Sequence, residues 1–137
     1  MTPRPIALIL ESNITWIIAR VLVTFMFWWE GLNFLTHFSD VAAGINVLGT
    51  NPVWIGPALT IALLLVGSIL VLLNRYLWLG AGMLATFTAL TILLVHQFWN
   101  MTGPAAIQNR LESEEHLAVI GGLIALSIIS HMRRKGA

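Results

Sequence analysis

The sequence contains no cysteine among its 137 residues. This absence excludes disulfide bonds, thiolate metal sites, iron–sulfur ligation by this chain and a cysteine nucleophile. Charged residues are also scarce, at 9%, whereas a soluble domain carries roughly 25%. Long stretches of the chain therefore have no charge with which to face water.

A basic face is missing too. The net charge is +1 at neutral pH, and outside the last few residues the cations are isolated along the chain. A nucleic-acid partner is therefore excluded, because such binding depends on many clustered cations. The ten-residue alternation of apolar and polar residues that is typical of membrane barrels is absent as well.

Apolar residues dominate instead, at 58% of the chain, with a mean hydropathy of +0.85. Four apolar runs are long enough to cross a hydrocarbon core of about 30 Å as helices. The predicted spans are 14–36, 53–73, 77–99 and 114–132. We therefore expect an all-α integral membrane protein whose single domain, residues 1–137, is a four-helix antiparallel bundle surrounded by lipid.

Two short segments outside the spans carry further expectations. Residues 1–11 are predicted to be an irregular interfacial lead-in, because Pro3 and Pro5 discourage regular helix. A secretory signal is rejected, since the apolar run that follows is too long and has no small-residue cleavage site. After Phe38, a short amphipathic helix is predicted to lie on the membrane surface before Gly49.

The distribution of cations predicts the orientation. In a chain with four spans, Arg110 is the only basic residue on one side of the membrane. Five basic residues lie on the other side: Arg4, Arg75, Arg133, Arg134 and Lys135. By the positive-inside rule, both termini are expected in the cytoplasm.

Two charges lie inside the first span, Arg20 and Glu30. Their ten-residue separation corresponds to about 15 Å along a helix, so they cannot pair within it. Buried charge in a membrane is costly and marks functional candidates. For Arg20 two alternatives are open, a side chain that extends to the interface or a specific buried partner. For Glu30 we expect a hydrogen bond to another helix or desolvation of the carboxyl group.

Polar residues gather near the outer ends of three predicted spans. The candidate ligand-binding residues are Glu30, His96, Trp99, Asn100, Asn109 and His116, and no catalytic residue or metal ligand is assigned. The alternative is that helix ends are polar simply because they reach water and headgroups. That explanation is favoured for the neighbouring residues Asn33, His37, Gln97 and Glu112.

The segment HQFWNMTG, residues 96–103, belongs to a pattern that resembles the DoxX family. The other matching features are Arg20 followed eleven residues later by Gly31, a glycine before the second span at Gly49, Asn109, and the pair Gly121–Gly122. The resemblance spans most of residues 18–126. Relatives often carry a glutamate inside the second span and a lysine at the start of the fourth. Here residues 53–73 contain no acid, and Glu115 stands at the second position.

The resemblance implies a small protein of the bacterial inner membrane, associated with membrane redox systems as an accessory or quinone-interacting component. A planar quinone head could exchange protons with Glu30, His96 and His116. No haem or flavin signature is present, so the chain has no intrinsic cofactor and electron transfer needs a partner chain or a bound quinone.

Two alternative functions stay open. The first is a non-catalytic subunit that docks through small-residue faces into a larger membrane complex, or into a homo-oligomer. The second is a metal-binding or small-solute transport site that involves His37, His96, His116 and Glu30, although no short ligand motif supports it.

Overall fold

The structure is a computed structural model, which describes residues 2–40 and 51–136. The described helices are α1 (Arg4–Glu11), α2 (Asn13–Thr36), α3 (Ile55–Leu72), α4 (Leu77–Leu94) and α5 (Gly103–Lys135), with a short 3-10 helix (Phe98–Asn100) between α4 and α5. Four segments are long and apolar enough to cross a membrane: α2, α3, α4 together with the 3-10 helix, and α5. The predicted all-α fold with four spans is confirmed.

Contacts between side chains give the direction of each helix pair. On α2 and α3, Arg20 reaches Leu72 whereas Gly31 meets Leu65, so the two helices are antiparallel. The same holds for α2 and α5, because Asn13 bonds to Arg133 and Val23 lies beside Gly122. Asn13 is therefore level with Arg133, and Val23 with Gly122, and each step forward along α2 corresponds to one step back along α5.

The closest approach of two helices is between α3 and α4. A Cβ atom added to Gly80 would lie 2.6 Å from the carbonyl oxygen of Gly67, closer than packed atoms come. At Gly67 an added Cβ would meet Leu84 at 2.8 Å. Only glycine allows this backbone contact, so Gly67 belongs to a small packing face of α3.

The core lies along the inner faces of all four spans. Its buried members include Phe27 on α2, Leu64 on α3, Leu84 on α4 and Leu123 on α5. The helices pack in chain order, α2 on α3, α3 on α4 and α4 on α5, while α2 and α5 touch much less. Residues of α2 and α5 line an open apolar groove of about 350 Å³: Leu22, Val23, Phe25, Met26, Ala118, Val119 and Gly122. We call it the α2–α5 groove.

The prediction of an irregular lead-in was wrong, because Arg4–Glu11 forms the regular helix α1. Pro5 stands in its first turn, where a backbone N–H has no partner inside the helix and the fixed φ of proline favours helix. Ser12 then caps α2, since its side chain accepts a hydrogen bond from the Thr15 amide at 3.0 Å.

Two helix boundaries differ from the predictions, although the third span, Leu77–Asn100, agrees with the predicted 77–99. The helix expected over 77–99 stops at Leu94, and α5 begins at Gly103 although residues 101–113 were predicted to be a loop. Gly103 has a φ of +68°, which suits glycine, and Pro104 follows it at the first helical positions. The interfacial helix predicted before Gly49 falls largely on residues 41–50, outside the described residues.

Candidate ligand site at the acidic end of the bundle

Charge divides the bundle into two ends. The terminal end holds α1, the turn between α3 and α4, and the last turn of α5. The acidic end, opposite, is where α2 and α4 stop and α3 and α5 begin. Six of the seven cations belong to the terminal end: Arg4, Arg20, Arg75, Arg133, Arg134 and Lys135. Five of the six acids belong to the acidic end: Glu30, Asp40, Glu112, Glu114 and Glu115.

His96 is the centre of the polar contacts at the acidic end. The backbone leaves the α4 helix after Leu94, so His96 does not lie a turn inside a helix as the sequence suggested. Its Nδ1 atom lies 3.0 Å from Oδ1 of Asn109 and 3.0 Å from a carboxylate oxygen of Glu112. Both partners project from the early turns of α5, which the sequence had assigned to a loop. This early start of the helix brings them to His96.

The partners of His96 determine its tautomer. The Asn109 amide nitrogen donates to the carbonyl oxygen of Ala105 at 3.0 Å, which leaves Oδ1 facing the histidine ring. A carboxylate oxygen and an amide oxygen can only accept, so Nδ1 of His96 carries the proton that it shares between them. In the neutral ring, Nε2 is then the nitrogen that can accept a hydrogen bond or a proton.

His116 lies beside His96 in an edge-to-face arrangement. The ring centroids are 5.0 Å apart with an interplanar angle of 69°. Nδ1 of His116 is shielded from solvent and has no hydrogen-bond partner within residues 2–40 and 51–136. A buried polar atom without a partner costs on the order of 1 to 3 kcal/mol, so such atoms mark a place where a further polar group fits.

Glu30 does not join the hydrogen-bonded group. It is half-buried, and in the described parts of the chain no hydrogen bond or ion pair reaches it. Of the two alternatives that we expected for Glu30, the hydrogen bond to another helix is therefore not found there. Glu30 nevertheless shares a face of α2 with the core residues Phe27 and Phe34, and the α2–α5 register places it at the height of His116.

Trp99 and Asn100 lie on the 3-10 helix and are both exposed. Asn100 donates to the side chain of Gln97 at 3.2 Å, and the Trp99 ring packs edge-on against Phe98. Neither touches His96 or His116 through any of the contacts found. An open cleft of about 360 Å³ adjoins this helix and is lined by Phe98, Ala106, Ile107 and Arg110.

Arg20 has a specific buried partner, which decides between the two alternatives for this residue. Its Nη1 atom donates to the carbonyl oxygens of Leu72 at 2.6 Å and Val71 at 3.4 Å, at the end of α3. The guanidinium carbon also lies 5.2 Å from the centre of the Trp16 ring. Arg20 thus places its charge on carbonyls at the C-terminal end of α3, although that of Val71 also accepts from the Asn74 amide at 3.1 Å, and this is a structural role.

Glu112 is the residue that sequence analysis missed, because its polarity was attributed to the helix end. The available signal was its spacing of four residues from His116, which places both on one face of a helix. Within the described residues, no group of three or more histidine, aspartate and glutamate side chains is arranged to hold a metal ion.

Comparison with known proteins gives a family match for this chain. A sequence profile described as DoxX matches residues 15–97, which is more than half of the chain and covers α2, α3, α4 and His96. Asn109, Glu112 and His116 lie beyond the matched residues. No curated protein and no solved structure matches the chain. On the extent of the profile match, this four-span membrane protein belongs to the DoxX family.

Proposed function

We propose that this protein is a quinone-interacting accessory component of a membrane redox system, and that the quinone head binds at the acidic end beside His96 and His116. The observation that carries the proposal is the buried, unpartnered Nδ1 atom of His116 next to a histidine whose Nε2 is left as an acceptor. A quinone presents carbonyl oxygens, and its reduced form presents hydroxyl groups. The two histidines supply both donor and acceptor atoms for them.

The α2–α5 groove offers a place for the tail of the same molecule. It is lined by apolar side chains and lies within the spans, and Met26 and Val119 are about one turn from the height of Glu30 and His116. Its volume of about 350 Å³ falls within the range of roughly 300 to 1,000 Å³ for small-molecule sites. An apolar tail in the groove would thus place a polar head at the histidines.

The chain contributes binding and proton exchange to this function. Conversion of a quinone to a quinol takes two electrons and two protons. Glu112, His96 and His116 can exchange protons at the acidic end. The sequence has no haem or flavin signature, so the electrons come from a partner protein.

A binding titration tests the proposal. The full-length protein in lipid nanodiscs is titrated with a short-chain alkyl benzoquinone, and tryptophan fluorescence reports binding. We expect saturable binding to the wild type and at least tenfold weaker binding to His96→Gln and His116→Gln. His131→Gln is the matched control, because His131 is exposed at the terminal end. Non-saturable quenching in the wild type, or equal binding by all variants, would refute the proposal.

The adjacent glycines of α5 provide a second matched pair. A side chain at Gly122 enters the groove, where an added Cβ would already lie 3.4 Å from Val23. A side chain at Gly121 meets no atom within 4 Å in the described part of the chain. Gly122→Leu should therefore weaken quinone binding, and Gly121→Leu should leave it unchanged. If the two substitutions changed quinone binding equally, the groove would not hold the tail of the quinone.

An interaction subunit is the second candidate function. Gly121, Ala118 and Ala125 form a small-residue stripe on α5 that is exposed in the single chain. Stripes of this kind allow helices of two membrane proteins to approach closely. If Gly121→Leu abolishes co-purification with a membrane partner, or dimer formation, while quinone binding is absent in the wild type, this second function is the correct one.

We further propose that the protein resides in the bacterial inner membrane with both termini in the cytoplasm, from the excess of cations at the terminal end. Because the chain has no cysteine, a single cysteine can report the side of the membrane. Ala105→Cys, which is exposed, should react with a membrane-impermeant maleimide added to spheroplasts. Lys135→Cys should not react until the membrane is permeabilised. The reverse pattern would invert the topology.

A further inference from the structure

We infer that the terminal end of the bundle is a docking surface for anionic phospholipid headgroups, formed by α1 together with the cations Arg75, Arg133, Arg134 and Lys135. Four observations carry this inference: the exposed apolar face of α1, the position of α1 at the end of the spans, the number of cations there, and the absence of acidic partners for them.

The first observation is that α1 buries nothing within the chain. Its eight residues include none that is buried, and Ile6, Ile9 and Leu10 share one face at a spacing of three and four residues. The side chains of Ile9 and Leu10 are each 61% exposed. A short amphipathic helix of this kind is stable when its apolar face enters the boundary between headgroups and acyl chains.

The second observation is that α1 is held at the end of the bundle. It runs directly into α2 through Ser12, so it ends where the first span starts. Arg133, at the end of α5, donates to the side chain of Asn13 at 2.7 Å and lies close to the carbonyl oxygen of Glu11. These contacts place α1 beside the cations of the last turn of α5.

The third and fourth observations concern charge. In the described residues, both ion pairs lie at the acidic end, His96 with Glu112 and Arg110 with Glu114. The cations of the terminal end bond to neutral groups instead, as when Arg134 donates to the carbonyl oxygen of Asn74 at 2.8 Å. Glu11 is the one acidic side chain at this end, and within the described residues it forms no ion pair with these cations, so the positive charges outnumber the negative one. A lipid phosphate is the anion that is available at this depth, and clustered cations next to a span attract anionic lipids.

The test compares the affinity of the reconstituted full-length protein for two spin-labelled lipids. Electron spin resonance gives the ratio of the association constants for phosphatidylglycerol and phosphatidylcholine. We expect a ratio well above one for the wild type. The double variant Arg75→Gln/Lys135→Gln should lower the ratio severalfold, since each cation near the surface contributes to the attraction. Within residues 2–40 and 51–136 neither side chain makes a hydrogen bond, so the variant should keep its fold, which circular dichroism checks.

Arg110→Glu is the matched control, because it changes the net charge by the same amount at the acidic end. It should leave the lipid ratio as in the wild type. A wild-type ratio of one, a double variant that keeps the preference, or a control that loses it equally would overturn the inference.

A second measurement tests separately whether α1 enters the membrane surface. A nitroxide is attached to a cysteine that replaces either Ile9 on the apolar face or Glu11 on the opposite face. In bilayers that contain phosphatidylglycerol, the label at position 9 should collide more often with oxygen and the label at position 11 with a water-soluble nickel chelate. Equal exposure of both labels to the chelate would show that α1 does not enter the membrane surface. Failure here leaves the quinone proposal intact, since that site lies at the other end.

Discussion

At the terminal end of the bundle, the buried Arg20 bonds to the backbone of another helix, whereas at the acidic end His96 bonds to side chains of another helix. Arg20 and Arg134 both donate to main-chain carbonyls, of Leu72 and Asn74. His96, by contrast, bonds to the side chains of Asn109 and Glu112. A backbone partner fixes the fold, because the carbonyl cannot move without its helix. A partner with a titratable side chain can rotate, exchange a proton or rebind to a ligand.

The type of hydrogen-bond partner indicates which polar residues in a membrane bundle are structural. Burial alone does not separate them, since Arg20 is buried and His96 is half-buried, yet both lie inside predicted spans. The type of partner does separate them. Substitutions at the terminal end should reduce stability, and substitutions at the acidic end should reduce ligand binding at little cost in stability.

The largest loss of stability is expected for Arg20→Leu. If this variant were as stable as the wild type, the two ends of the bundle would not differ in role. Two carbonyls at the end of α3 lose a charged donor inside the membrane, so the free energy of unfolding should fall by about 3 kcal/mol. Unfolding in mixed micelles with increasing dodecyl sulfate measures it. Arg110→Leu is the control, because its ion pair with Glu114 is exposed and should be worth less than about 0.5 kcal/mol. Equal losses for the two variants would refute the structural role of Arg20.

The next effect concerns the tight contact of α3 and α4, which lies nearer the terminal end. Gly80→Ala places a methyl group against the backbone of Gly67 and should cost about 2 kcal/mol. Gly82→Ala, on the same helix, meets no described atom within 4 Å and should be neutral or stabilising by up to about 1 kcal/mol. The same micelle titration compares them. A stable Gly80→Ala protein would mean that the helices are not packed this closely.

The smallest change in stability is expected at the acidic end. His96→Gln removes a side chain whose partner Glu112 is partly open to water, so unfolding should become easier by less than about 1 kcal/mol. The same variant should lose quinone binding. If His96→Gln instead destabilised the protein as much as Arg20→Leu, the two ends would not differ in role.

The sequence predicted the fold well because its main determinant is local. A run of about 20 apolar residues identifies a span without knowledge of any neighbour, and α2 and α3 begin and end within two residues of the predicted limits. The first turns of α5 were missed because Gln108, Arg110 and Glu112 are polar, although all three favour helix. Hydropathy therefore placed the start of this helix too late.

The site was harder to predict because its geometry depends both on where α4 ends and on where α5 begins. His96 meets Glu112 only because α4 stops early and α5 starts early. The candidates His96, Asn109 and His116 do lie close together, whereas Trp99 and Asn100 make contacts only within their own short helix. Arg20 could be recognised as unusual, but its partners Val71 and Leu72 are apolar residues whose carbonyls carry no signal in the sequence.

Photolabelling tests the central claim most directly, since it asks at which end of the bundle a quinone head lies. An alkyl benzoquinone with a photoreactive group on the ring is irradiated with the full-length protein in nanodiscs, and mass spectrometry locates the adducts. We expect saturable labelling near Glu30 and within residues 94–119. Unlabelled quinone should compete with this labelling, and the His116→Gln variant should lose it. Saturable labelling around Asn74 and Ser130 at the terminal end, or labelling that unlabelled quinone does not compete, would contradict it.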